Sequence, residues 1–180
     1  MNKIYEKIYP SEASPNDLAI SKKLATLTWI EAHHLMDEEF IFDNMLPDII
    51  NEFKQINILK TPYKKLDCFN KILTSVINLI KFNEGEDKEE IGADDITPIL
   101  SFAAIKAQPY KIFTDIEFIR LFSDNNGENI NSLINIENIY NSIIDYSEKN
   151  LNVTKEEYDK NCQAAMKENE KKEEFIYNLF

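Results

Sequence analysis

The sequence predicts an all-α protein, a single-domain layered bundle of about six to seven helices. Three observations carry this reading. Apolar residues recur at three- and four-residue spacing along nearly the whole chain, and no stretch alternates as a half-buried strand would. With 43% hydrophobic and 29% charged residues the composition is that of a folded chain, and 180 residues suffice for one sizeable core. Asp, Thr and Pro punctuate the starts of the periodic segments, and no internal repeat or interdomain linker separates them.

In chain order, the spacing of Ile20, Leu24, Leu27 and Ile30 predicts an amphipathic helix over about Asp17 to Leu35, with Trp29 broadening its buried stripe. A second helix is expected to open at Asp43 or Asn44, either of which can cap it, with Pro47 tolerated in the first turn and Ile49, Ile50 and Phe53 turned inward. Thr61-Pro62 then breaks the chain. From Leu66, the series Phe69, Ile72, Leu73, Val76, Ile77 and Ile80 marks a third helix, and its weakly polar outer face suits cover on more than one side. Asn83 to Glu90 reads as a charged, glycine-containing loop. After it, Asp94-Asp95-Ile96-Thr97-Pro98 opens a helix that is apolar on nearly every side through Ile105, as a central buried helix would be. With Asp95 as the cap, Pro98 falls near N3, where its missing N–H removes no intrahelical bond.

Gln108-Pro109 ends that helix, and Thr114-Asp115-Ile116-Glu117 reads as a capping box for the next. Asp124-Asn125-Asn126-Gly127 stops it in a turn. A sixth helix is expected over about Asn131 to Glu148, with Leu133, Ile136, Tyr140, Ile143 and Ile144 inward. Thr154-Lys155-Glu156-Glu157 caps a last, highly charged helix that runs toward Phe180.

Several kinds of chemistry are excluded by what the chain lacks. Its three glycines, Gly85, Gly92 and Gly127, lie too far apart for a phosphate-cradling loop or a dinucleotide turn. A formal charge of −12 without a basic stripe opposes nucleic-acid binding. The longest uncharged run, Ile96 to Ile105, is far short of the roughly 20 apolar residues of a membrane span. The first ten residues, MNKIYEKIYP, lack a secretory core, so the chain reads as soluble and intracellular. Cys68 and Cys162 have neither C-x-x-C spacing nor the density of a disulfide scaffold, and read as reduced thiols. His33 and His34, adjacent on a helix, point about 100° apart and cannot converge on one metal. Glu31-x-x-His34 matches half of a carboxylate-bundle di-metal signature, but no histidine remains for the other half, so the pair reads as helix surface or domain rim. No nucleophile elbow or Cys-Gly motif surrounds any Ser or Cys. No cofactor and no metal are implied.

The one constellation with chemical tension is Asp94-Asp95, placed between a glycine-containing loop and a very apolar helix. In one reading, one carboxylate caps the helix and the other favours its positive end, together worth about 1–2 kcal/mol. In the other, one caps while its neighbour projects outward as a fixed anionic probe.

Ile91 to Phe122, IGADDITPILSFAAIKAQPYKIFTDIEFIRLF, resembles the core of the Vps-nine (vacuolar protein sorting nine) exchange domain. Ala93-Asp94-Asp95, Pro98, Lys106-Ala107, Pro109, Ile116, Ile119, Phe122 and Gly127-Glu128 fall in register with that family's pattern. Upstream, Asp17-Leu18-Ala19-Ile20 through Trp29 and Pro62-x-Lys64-Lys65-Leu66 are similar too, and LNVTKEEYDK downstream resembles the closing element of Rabex-type members. The resemblance spans roughly Asp17 to Lys160. It implies an exchange domain over about residues 16–150, with a charged C-terminal helix over about 155–178, in a chain that is one domain from 1 to 180.

The resemblance further implies guanine-nucleotide exchange on an endosomal Rab-family GTPase of the Rab-five subgroup, without covalent chemistry. Asp94 corresponds to the family's aspartate finger, which enters the GTPase nucleotide site and disturbs the phosphate-loop lysine, magnesium and β-phosphate contacts. Pro98 corresponds to the motif proline that shapes the GTPase-binding surface, leaving the capping role to Asp95. Asn131 and Ile134 stand where family members often carry a tyrosine and a threonine that touch the GTPase, and Gln108 and Tyr110 replace a usual Asn and a common Pro. An exposed, partly apolar groove is expected beside the central and sixth helices. The implied location is cytoplasmic, with peripheral recruitment to early endosomes, and no lipidation motif is present to supply it. Two functional alternatives stand beside active exchange: a Rab-binding module with little or no exchange, and a generic acidic helical adaptor.

Overall fold

Ser14 and Asp17 start the first helix as a reciprocal capping box: the Asp17 N–H donates to Ser14 Oγ at 3.1 Å and the Ser14 N–H donates to Asp17 Oδ2 at 3.0 Å. The computed structural model describes residues 8–36, 45–85, 90–123 and 127–177, the side chains of 127–129 and 172–177 excepted. Among these residues there are seven α-helices and no strand. They are α1 (Pro15–Thr26), α2 (Met45–Gln55), α3 (Pro62–Glu84), α4 (Ala93–Ala107), α5 (Ile112–Phe122), α6 (Gly127–Ile144) and α7 (Lys155–Tyr177). The all-α expectation holds.

Helix α1 is shorter than its apolar spacing predicts. It stops at Thr26 because two hydroxyls compete for its carbonyls: Thr26 Oγ1 donates to Lys23 O at 2.7 Å and Thr28 Oγ1 to Ala25 O at 3.4 Å. Tight i→i+3 bonds, Leu27 N–H to Leu24 O and Ile30 N–H to Leu27 O, carry the chain on, and Leu27 and Ile30 are still fully buried. A 3-10 turn follows at Ala32–His34. The candidate caps Asp43 and Asn44 lie outside the described residues, but α2 does bury Ile49 and Phe53 and half-bury Ile50.

Thr61-Pro62 starts α3 rather than merely breaking the chain. Thr61 Oγ1 accepts the Lys64 N–H at 3.3 Å, and Pro62 occupies the first helical position, where its absent N–H is no loss. The helix runs to Glu84, so the loop inferred from Asn83 onward is shorter than expected, and residues 86–89 of it are outside the described set. Helix α3 packs against α2, α4, α5 and α6, the many-sided cover that its outer face suggests. At its centre-facing side lies α4, buried without a break from Ile99 to Ile105 and packed also on α2 and α6.

Thr114 does not cap α5, which begins two residues earlier at Ile112. The cap comes from α1. Asp17 Oδ1 accepts the N–H groups of Phe113 at 2.8 Å and Thr114 at 3.3 Å, and Asp17 Oδ2 accepts the Thr114 hydroxyl at 2.5 Å. Asp115, freed from any capping box, is buried against Lys65 of α3 at 2.7 Å. Helix α6 begins at Gly127 and ends at Ile144, four residues before the expected Glu148, and buries Leu133, Ile136, Tyr140 and Ile143 while half-burying Ile144. Thr154 caps α7 as expected, accepting the Glu157 N–H at 3.2 Å. Residues 178–180, the end of that prediction, lie outside the described set. Helix α7 packs along α1, with Ala165 buried and Asn169 Nδ2 donating to Ala25 O at 2.9 Å.

Candidate functional site

Helix α4 presents its N-terminus at the mouth of a small cleft. The approach to it is set by Gly85, which ends α3 at φ +107°, a conformation that L side chains rarely adopt although the space around it is open. Gly92 is the N-cap of α4, so Ala93, Asp94 and Asp95 are N1, N2 and N3. Asp95 is therefore not the N-cap. It caps by a different route, its Oδ2 accepting the Gly92 N–H at 2.7 Å, which is the carboxylate half of a capping box. The consequence for Pro98 is larger. It sits inside α4, three residues beyond N3, and its missing N–H leaves the Asp94 carbonyl without its i+4 donor.

Asp94 and Pro98 line one cleft of about 170 Å³ together with Asp95 and Ile99 of α4. Glu84 closes it from the end of α3, and Leu35, Met36 and Asn152 close it from two loops. Among the described residues its walls carry three carboxylates and no basic side chain. The Asp94 side chain is exposed and has no hydrogen-bond or ion-pair partner among the described residues, whereas its neighbour Asp95 is half-buried and bonded. Asn131 and Ile134 do not line the cleft; both are exposed on α6, Ile134 to 42%, and α6 packs against α4.

The far wall is held by the residues after α1. His34 is buried, not on the rim, and its Nδ1 accepts the Glu31 N–H at 2.9 Å inside the 3-10 turn. Desolvation, then the neighbouring His33 ring, lower its pKa from the ordinary 6.5. The Asn152 N–H donates to His34 O at 3.0 Å, which ties the loop before α7 to this turn. The two imidazole rings lie 4.0 Å apart between centroids, tilted by 53° to one another, and among the described residues no group of ligands could hold a metal ion. At the opposite end of α4, Lys106 Nζ pairs with Glu31 Oε1 at 3.3 Å, and Gln108 takes the left-handed conformation at φ 51° that ends the helix.

Residues 46–154, more than half of the chain, match the family of the Vacuolar sorting protein 9 (VPS9) domain. The chain belongs to the VPS9 domain family. Relatives named "Rab5 GDP/GTP exchange factor" from Bos taurus and Homo sapiens are 26% identical to it over 129 residues, 68% of this chain and 26% of theirs. "Vacuolar protein sorting-associated protein 9A" of Arabidopsis thaliana is 22% identical over 173 residues, 92% of this chain and 33% of the relative. The chain spans about a quarter of the length of the two exchange factors it matches.

Within this VPS9 domain, the structure brings together Asp94, Asp95 and Pro98 and leaves Asn131 and Ile134 on a separate element. Sequence motifs place Asp17, Lys65 and Asp115 at helix starts and do not reveal that all three are buried charges that hold the scaffold. A signal for two of them exists in the spacing. Asp17 precedes Ile20, Leu24 and Leu27, and Lys65 precedes Phe69, Ile72 and Val76, each at the three- and four-residue intervals of an inward face. The free thiols fit expectation: Cys68 is buried, with its pKa pushed up to about 12 by desolvation, and Cys162 is half-buried.

Proposed function

We propose that this VPS9 domain releases GDP from a Rab-family GTPase, most closely of the Rab-five subgroup, with Asp94 as the acidic finger and Pro98 shaping the surface around it. The observation that carries this reading is the division of labour at the start of α4. One carboxylate is folded back onto the backbone, and the other stands exposed and unpaired among the described residues at the rim of a cleft. The similarity to proteins named for Rab5 GDP/GTP exchange supports it.

The energetics suffice. A nucleotide held at nanomolar to picomolar affinity is bound by about 12–16 kcal/mol, and each 1.4 kcal/mol removed is about tenfold in release. A carboxylate about 4 Å from a phosphate charge costs roughly 4 kcal/mol per unit charge at an effective dielectric near 20, which approaches a thousandfold. Competition for the phosphate-loop lysine and disturbance of the magnesium add to it. No bond is made or broken, because the domain acts by binding the nucleotide-free GTPase better than the loaded one. The place of action is the cytoplasmic face of early endosomes, reached through a partner; among the described residues no helix is long and apolar enough to cross a membrane.

A second reading draws on Asn131 and Ile134, exposed on α6 where an aromatic and a hydroxyl anchor would be expected. Losing an aromatic anchor commonly costs about 2 kcal/mol or more. It gives a domain that binds Rab but exchanges poorly. Release of a fluorescent GDP from a panel of Rab proteins separates the two. Active exchange requires acceleration by the wild type and loss of about 100-fold or more in Asp94→Ala. Binding to Rab without any acceleration by the wild type selects the second reading.

A further inference from the structure

We propose that Asp95 is a positioning residue for the exchange step: its carboxylate fixes the turn that aims Asp94. The proposal rests on the finger reading of Asp94 and adds a residue that acts through it. The first turn of α4 is weakly held. Gly92 has no side chain with which to cap, and the Ile96 N–H reaches Gly92 O only at 3.3 Å. Pro98 supplies no N–H to the Asp94 carbonyl. Against these gaps the 2.7 Å bond from the Gly92 N–H to Asp95 Oδ2 spans the residues on either side of the finger and closes a ring around Asp94. Its geometry makes Asp95 unavailable to a visitor in the way that Asp94 is available.

Loss of a cap of this kind shifts the balance between ordered and frayed first turns by about fivefold. Only the ordered population presents the finger, so the maximal rate falls by about threefold from a half-ordered turn and by up to about fivefold from a less ordered one. Docking relies on other surfaces, so the KM for loaded GTPase stays put.

The test compares the wild-type chain, Asp95→Ala, Asp95→Asn and Asp94→Ala by fluorescent-GDP release from a Rab-five-subgroup GTPase, with kcat and KM separated. Asparagine keeps an oxygen that can accept from the Gly92 N–H and discards the charge. The expected result is a kcat reduced about three- to fivefold in Asp95→Ala with KM within about twofold, and a kcat restored to within about twofold of wild type in Asp95→Asn. Amide exchange at Gly92 should quicken in Asp95→Ala and stay slow in Asp95→Asn. An Asp95→Ala enzyme with wild-type kcat overturns the proposal while leaving the finger intact, provided Asp94→Ala is inactive. Asp95→Asn as slow as Asp95→Ala also overturns it, since the charge itself would then be acting. If Asp94→Ala keeps the full rate, the finger reading falls and the positioning role falls with it.

Discussion

Asp17 shows how much one buried carboxylate can organise. It closes the capping box of α1 and, 96 residues along the chain, also supplies the acceptor that α5 lacks at its own start. Burial by itself would raise its pKa, and the hydrogen bonds from Thr114 and Ser14 outweigh that, leaving it below the ordinary 3.8. A carboxyl whose folded pKa lies below its unfolded value stabilises the protein above the unfolded value, and that contribution disappears as pH falls through the folded one. Asp17→Ala should therefore lower stability by about 3 kcal/mol at pH 7, by denaturant unfolding. The gap between variant and wild type should narrow in strong acid. The inward spacing of Asp17 with Ile20 and Leu24 is plain in the sequence. Its partners are not, because nothing local ties residue 17 to residue 113.

At the scale of elements, helix existence was legible and several helix ends were not. Asp94-Asp95 announces the start of α4, yet an N-cap aspartate and an N3 aspartate look alike in sequence, and only the fold shows Gly92 in the capping position. The same ambiguity placed the start of α5 at Thr114, where a tertiary carboxylate had replaced the local cap. The turn after α1 escaped for another reason. Apolar spacing continues through Ile30 while threonine hydroxyls divert the backbone, and His34 is carried inside. The groups facing that imidazole are His33, Glu31, Glu157 and Lys106, and desolvation dominates them all. A histidine with a folded pKa below its unfolded one is kept neutral by the fold, so stability falls as pH drops below about 6.5. Thermal melts should show wild type losing more stability between pH 7 and 5 than His34→Asn, whose Oδ1 can still accept from the Glu31 N–H. Equal pH slopes would contradict this.

Across the whole molecule, the Lys65–Asp115 pair joins segments far apart in sequence. Lys65 Nζ also donates to Ile56 O at 2.7 Å, beyond the end of α2, and Asp115 Oδ1 accepts the Tyr9 hydroxyl at 2.6 Å. Desolvation lowers the Lys65 pKa and raises that of Asp115, and their contact opposes both shifts. Lys65→Met alone should cost about 3–5 kcal/mol by leaving a buried carboxylate unpaired, and adding Asp115→Leu should recover most of it. Urea unfolding of the single and double variants measures the difference. These contacts tie α3, α5 and the chain after α2 together, and α4 presents Asp94 exposed at its start. The resemblance implied an outward Asp94 and a capping Asp95, and the structure has Asp94 exposed and Asp95 bonded to the Gly92 N–H; that Asp95 caps from N3 was not readable, since the two residues differ in register and not in chemistry.

The central claim is that the Asp94 carboxylate and bound GDP exclude one another on a GTPase. The most direct measurement is the GDP concentration that half-dissociates the complex of this domain with a nucleotide-free Rab-five-subgroup GTPase, for wild type and Asp94→Ala. The account predicts that the variant complex dissociates at about 100-fold less GDP, the coupling expected of a charge about 4 Å from a phosphate after partial screening. The same concentration for both would contradict it.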